Sequence, residues 1–131
     1  MKIPQALIDE MVAHAREGLP NECCGMVGGA DGEARTVYRA ENAEASPFRY
    51  SIDAKEQFRL MQEIEGAGEE LVGIYHSHTK SPAYPSQTDV NLAGWPDAIY
   101  LIASLADAEA PDVKGFWIRD GQISEAELVV G

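Results

Sequence analysis

The chain has 131 residues, 45% of them hydrophobic, with 22 acidic against 10 basic side chains and a net charge of −12. That length suits one domain with a real core and is short for two. The acidic balance has the wrong sign for an ordinary nucleic-acid binder and reads as a solvated surface that could also steer a basic partner. No run of about 18 apolar residues occurs, so no helical membrane span is expected. Met1-Lys2-Ile3-Pro4 leads straight into a polar, amphipathic segment without a signal peptide's apolar stretch. The two cysteines, Cys23 and Cys24, are adjacent and poorly placed to bridge each other. A reducing, cytoplasmic setting is therefore expected.

From Pro4 to Gly18 the pattern predicts a helix. Pro4 suits the first turn, and Leu7, Ile8, Met11, Val12 and Ala15 make an apolar stripe that Gly18 and Pro20 end. His14 lies off that stripe and is expected at the surface. Glu22 to Gly28 reads as a short strand running into a turn over Gly28-Gly29-Ala30-Asp31-Gly32, with Ala34 to Ala40 as its hairpin partner. Phe48 to Ile52 reads as a further strand. Asp53 opens a second helix, with Glu56 placed for a capping box and Phe58, Met61 and Ile64 as its core face. Leu71 to His78 is apolar enough to be the central buried strand. Thr79 to Pro85 is a loop stiffened by prolines, and Ser86 to Gly94 a short helix. Ala98 to Ser104, Val113 to Arg119 and Ile123 to Val130 complete a curved mixed sheet of about seven strands flanked by helices, an α/β fold over residues 1–131.

The chemistry gathers at Ile74-Tyr75-His76-Ser77-His78. The chain holds 3 histidines and sets two of them two positions apart. Strand alternation points His76 and His78 to one face, where they can hold a divalent metal. Histidines on a sheet can also be held by hydrogen bonds alone, and both readings stand for the pair. Ser86 and Asp89 form an S-x-x-D helix start. In that first turn Asp89 projects back toward the strand end and can be a third ligand, with Ser86 beside it. Two histidines, one aspartate and water make an open, catalytic type of zinc site. Glu22 precedes the apolar run Cys23-Cys24-Gly25-Met26-Val27. It is either a plain strand-end charge or, if this strand packs beside the histidines, a group that reaches the bound water. Cys24 shares the face of Glu22 and is a weak candidate for a fourth ligand, since a small buried thiol is commonly core.

Glu22, the His76-Ser77-His78 triplet, Ser86 and Asp89 together resemble the motif of the JAMM (MPN+) metalloprotease family, and the order of elements resembles its fold. The stretches Asn21 to Gly25, Asn42 to Pro47, Tyr75 to Thr79 and Ala83 to Val90 are similar to the bacterial members that release cysteine from a CysO-type sulfur-carrier protein. The resemblance implies one zinc per chain on His76, His78 and Asp89. It implies Glu22 as proton carrier and Ser86 as donor to the oxyanion. The partner implied is a ubiquitin-like carrier protein with a C-terminal Gly-Gly. The long insertions of deubiquitinating relatives are missing, which argues against ubiquitin itself. Two alternatives are a broader peptidase for other ubiquitin-like or peptide tails and a non-catalytic scaffold. A homodimer is left open.

Overall fold

The computed structural model describes all 131 residues. Its elements are β1 (Lys2–Ile3), α1 (Gln5–Gly18), β2 (Cys24–Ala30), β3 (Glu33–Ala40), α2 (Ala54–Gly66), β4 (Glu70–His78), α3 (Gln87–Leu92), β5 (Ile99–Ser104), β6 (Asp112–Arg119), β7 (Gln122–Ala126) and β8 (Val129–Val130). They form one mixed eight-stranded sheet in the order β7-β6-β5-β4-β2-β3-β1-β8. β4 lies centrally, antiparallel to β2 and parallel to β5. It is covered on both faces, which is why its sequence reads as a nearly unbroken apolar run. On one face α1 packs Met11 and Ala15 against Ile3, Val27, Tyr75 and Leu101. On the other, Leu60 and Ile64 of α2 pack on Cys24, Met26 and Ala40. No helix is long and apolar enough to cross a membrane.

Several sequence expectations need correction. Gly28 and Gly29 belong to β2, where the ladder to β3 slips, and the turn itself is Asp31-Gly32, both at positive φ. The bare backbone at Gly28 makes room for the Glu69 carboxylate, which accepts hydrogen bonds from Thr36 and Tyr38. Phe48 to Ile52 is no strand. Asn42 organises this stretch instead. Its amide donates to the carbonyls of Glu22 and Arg49, and its Oδ1 accepts from the N–H groups of Glu44 and Ser51. An Asn side chain offering such local partners outcompetes a ladder. Asp53 caps α2 through Lys55 N, but Glu56 accepts from Glu41 N, so no capping box closes. Phe58 is 66% exposed rather than core, and Leu60 takes its place.

The segment Ile123 to Val130 is two strands on opposite edges of the sheet. β7 pairs with β6, while β8 pairs in parallel with β1. Leu128, between them, turns into the main core, and the N-terminal amine donates to Glu127 O at 2.7 Å. The sheet therefore curls until its two edges are joined by this one segment, a closure that strand periodicity alone could not reveal.

Gly25 in β2 marks a close approach. A Cβ there would come within 2.5 Å of the Tyr75 ring and 2.6 Å of Tyr38 O. Gly25→Ala should therefore lose about 1–3 kcal/mol through overpacking; a urea melt reading no change in midpoint would contradict this.

Candidate metal and active site

The site is built where β4 ends. His76 and His78 are 1% and 3% exposed, and their Nε2 atoms lie 3.2 Å apart. Ser86 starts α3 with a closed capping box: its Oγ accepts from Asp89 N, and its own N–H donates to Asp89 Oδ2 at 2.9 Å. This fixes Asp89 so that the same Oδ2 lies 3.0 Å from His78 Nε2 and 3.2 Å from His76 Nε2. The connecting loop is tied down at both sides. His78 Nδ1 meets Pro82 O at 2.8 Å, and Ser104 Oγ donates to Ser81 O at 2.6 Å. Tyr50 stacks on His76 with ring centroids 4.4 Å apart.

The chemistry of this donor set fits a metal cation. The Pro82 carbonyl requires a proton on His78 Nδ1, so the neutral ring turns a lone pair inward from Nε2. That lone pair faces a carboxylate oxygen and a second imidazole nitrogen. Two imidazole nitrogens and a carboxylate oxygen aimed at one point need protons or a metal cation among them. Their separations approach the roughly 3.3 Å edge of a tetrahedron with bonds of about 2.0–2.1 Å. In the metal-free protein a proton serves instead. Burial alone would lower the basicity of His78, but the hydrogen bond to Asp89 outweighs it and the pKa rises. Burial dominates at His76, whose pKa falls. Asp89 is buried too, yet the hydrogen bonds from both histidines hold its carboxyl well below the usual carboxylate range.

Glu22 reaches the same place from β2. Cys24 pairs with His76, and continuing that register sets Glu22 opposite His78. Ser77, pointing to the far face, stitches the extension. Its Oγ accepts from Cys23 N at 2.8 Å and its N–H donates to Cys23 O at 3.0 Å. The Glu22 carboxyl is 5% exposed, and burial raises its pKa to about 7 despite the opposing pull of His78. Only two buried side-chain polar atoms in the chain lack a hydrogen-bond partner, Glu22 Oε1 and His76 Nδ1, and both belong to this site. Unsatisfied groups gathered at one point mark function.

The structure thus gathers His76, His78 and Asp89, with Ser86 adjoining and Glu22 alongside. Cys24 shares the face of His76 but packs in the apolar cluster under α2, outside the group of metal-type donors. Burial pushes its thiol up to about 12. His14 is half-buried rather than superficial, and its Nδ1 lies 2.7 Å from the Tyr75 hydroxyl. Sequence reasoning missed Tyr50, Asn42 and Ser77 as positioning residues. Ser77 had a signal, since strand alternation sends the middle residue of His-Ser-His to the opposite face. Tyr50 and Asn42 act through an irregular loop and left no periodic trace.

Residues 4–119 match the family described as prokaryotic homologs of the JAB domain. The chain belongs to this family, the JAMM/MPN class of metallopeptidase-like hydrolases. The CysO-cysteine peptidase of Mycobacterium tuberculosis is 43% identical over 126 residues, covering 95% of this chain and 86% of that protein. The desampylase of Haloferax volcanii is 43% identical over 104 residues, covering 73% and 74% respectively. The solution structure of a protein from Desulfitobacterium hafniense superposes with a TM-score of 0.91 at 38% identity, covering 100% of this chain and 93% of that one.

The raised pKa of Glu22 has a consequence for the metal-free protein. Folding disfavours its charged form. The penalty is absent below the unfolded pKa near 4.5, grows as pH rises, and is complete above about 7. Glu22→Gln should therefore melt with the parent near pH 4 and above it at pH 8, by roughly 4 °C, equivalent to about 1 kcal/mol in a domain of this size. Thermal melts of the chelator-treated proteins at both pH values measure this; a variant that melts lower at pH 8 would contradict it.

Proposed function

We propose that this chain is a zinc hydrolase, acting as one catalytic domain over residues 1–131. Its reaction is release of cysteine from the C-terminal Gly-Gly of a ubiquitin-like sulfur-carrier protein. The observation that carries the proposal is the buried convergence of His76, His78 and Asp89 with an unpartnered Glu22 carboxyl alongside. The substrate rests on likeness to the CysO-cysteine peptidase over nearly the whole chain. A second reading, cleavage of other ubiquitin-like conjugates, is favoured by the likeness to the desampylase. A purely scaffolding role leaves the two unsatisfied buried polar atoms at the site without a purpose.

His76, His78 and Asp89 would hold the zinc. Zinc bound there supplies Lewis acidity and makes water a nucleophile near pH 7. Glu22 accepts the proton of the attacking water as its oxygen bonds to the glycine carbonyl carbon. The same carboxyl then returns the proton to the cysteine nitrogen as the C–N bond breaks. Burial raises the pKa of Glu22 in the metal-free site, which keeps the carboxyl basic enough to take a proton beside a metal cation. Ser86 accepts from Asp89 N through Oγ and keeps its hydroxyl hydrogen free to donate to the developing oxyanion. Asn42 holds the main chain of Glu22, and Tyr50 holds the ring of His76, so neither has to reorganise during turnover.

Zinc content measured beside initial rate separates these roles. Glu22→Ala should keep its metal and lose about 10²–10⁴ in rate. Asp89→Ala and His76→Ala should lose metal and activity together. Ser86→Ala should keep metal, lose about 10²–10³ in rate, and lose roughly 1 kcal/mol of stability with its cap. A metal-free or fully active Glu22→Ala would remove Glu22 from the mechanism. Mass spectrometry of a carrier ending in Gly-Gly-Cys tests the substrate; an unchanged mass, with other tails cleaved, would favour the second reading.

Proton and metal compete for the same centre. Burial opposes protonation of His78, but the hydrogen bond to Asp89 outweighs it and raises the pKa, so the ring keeps a proton to higher pH than an ordinary histidine and must release it to bind zinc. Zinc affinity should fall on the acid side, by about tenfold per pH unit once that ring is protonated. Competition with a chelating dye from pH 5 to 7.5 reads it, and a flat affinity would contradict the assigned ligand.

A further inference from the structure

Two cations without partners stand on the loops that hold Glu22. Glu22 N donates to Ser46 O at 2.9 Å, and the Asn42 amide joins the carbonyls of Glu22 and Arg49 at 3.0 Å each. The next residue, Tyr50, stacks on His76. The main chain of Arg49 is thus pinned between Glu22 and His76. Thr79 Oγ1 donates to Pro47 O at 3.3 Å, so the loop leaving His78 leans on the same stretch. Lys80 comes next, inside the turn that His78 Nδ1 closes on Pro82 O. In a chain of net charge −12, free cations are scarce. Arg39, Arg59 and Lys114 pair with carboxylates. The side chains of Arg49 and Lys80 are exposed and pair with none, and Thr79 to Pro85 holds no acid to answer Lys80.

The proposed reaction brings a charge within reach of these two. Glu22 hands its proton to the cysteine nitrogen, so the cysteine departs on the Glu22 side. The carboxyl carbon of an amino acid lies about 2.5 Å from its own nitrogen. A cysteine that ends the carrier carries a full negative charge there. A lysine side chain in a conjugate, or a residue inside a longer tail, carries none at that position. Glu22 and Asp89 already crowd the centre with carboxyl groups, so a third is repelled unless a cation faces it. A guanidinium can take both oxygens of a carboxylate in parallel, and an ammonium adds a point charge from a flexible stem.

We propose that Arg49 and Lys80 clamp the free α-carboxylate of the departing residue. The clamp directs the chain to remove a single C-terminal residue and disfavours longer conjugates. The inference rests on the reading above that cysteine is released from a Gly-Gly end. It adds what selects the bond to be cut, which is the negative charge just beyond it. The ties from Asn42 to Arg49 and from Thr79 to Pro47 hold both cations to the segment that carries Glu22, where that charge arrives.

A ubiquitin-like carrier with a Gly-Gly thioester end, ligated to cysteine or to cysteinamide, gives two substrates that differ only in this charge. With the zinc-loaded chain the free acid should exceed the carboxamide in kcat/KM by about tenfold. Arg49→Gln and Lys80→Gln should each shrink that ratio, and the double variant should abolish the preference. Lys80→Arg, which keeps the charge, should retain most of it. Acid and carboxamide cleaved equally by the parent chain would overturn the clamp and leave the proposed function standing. A preference for the acid that survives in the double variant would overturn it as well, by placing the selection elsewhere. Release of neither cysteine nor cysteinamide from the carrier would overturn the function, and the clamp with it.

Discussion

Everything at this site depends on three acceptors turned toward one point in a water-poor interior. Two imidazole nitrogens and a carboxylate oxygen within 3.2 Å of one another repel unless protons or a metal cation sit among them. The fold enforces the arrangement from outside. The Pro82 carbonyl sets the tautomer of His78, the helix cap at Ser86 aims Asp89, and Tyr50 fixes the ring plane of His76. Each support comes from a different segment, so no single one can relax to relieve the repulsion. The sheet spends stability to keep the centre hungry for a positive charge.

The pairing of β2 with β4 is the second requirement. It sets a carboxyl opposite His78 in a place that raises its pKa to about 7. The same carboxyl on a solvent-facing strand end would lack that burial and stay ionised at neutral pH. Burial pushes up the pKa of both Glu22 and Asp89, and hydrogen bonds reverse that push only at Asp89. Glu22 is buried without a hydrogen-bond donor and holds its proton. Asp89 is buried with three partners and gives its proton up. Two carboxylates close together thus take two roles through their partners alone.

Much of this was legible in the sequence because it rests on short-range rules. Alternation placed His76 and His78 on one face, and the S-x-x-D helix start placed Asp89 near them. The central strand and most of the element order followed from apolar runs. What failed was non-local. Ile123 to Val130 reads as one strand, and only the curl of the sheet separates β7 from β8. Phe48 to Ile52 has strand-like residues, but Asn42 takes its backbone partners. Phe58 has the right helical phase for the core yet faces solvent, because the sheet beneath α2 meets Leu60 and Ile64. The register that brings Glu22 to His78 lies between segments with no local signature linking them.

That register also governs when the chain becomes active. Cys23 and Ser77, which stitch the two halves of the site together, are 54 positions apart in sequence. Closing so long a loop carries an entropic cost that only the formed sheet offsets. A nascent or partly unfolded chain can hold the His-Ser-His triplet and even the short helix start, yet it lacks the Glu22 carboxyl beside them. Assembly of the full site is thus coupled to completion of folding. The complete arrangement of donors and carboxyl is therefore a property of the assembled sheet and of no shorter segment.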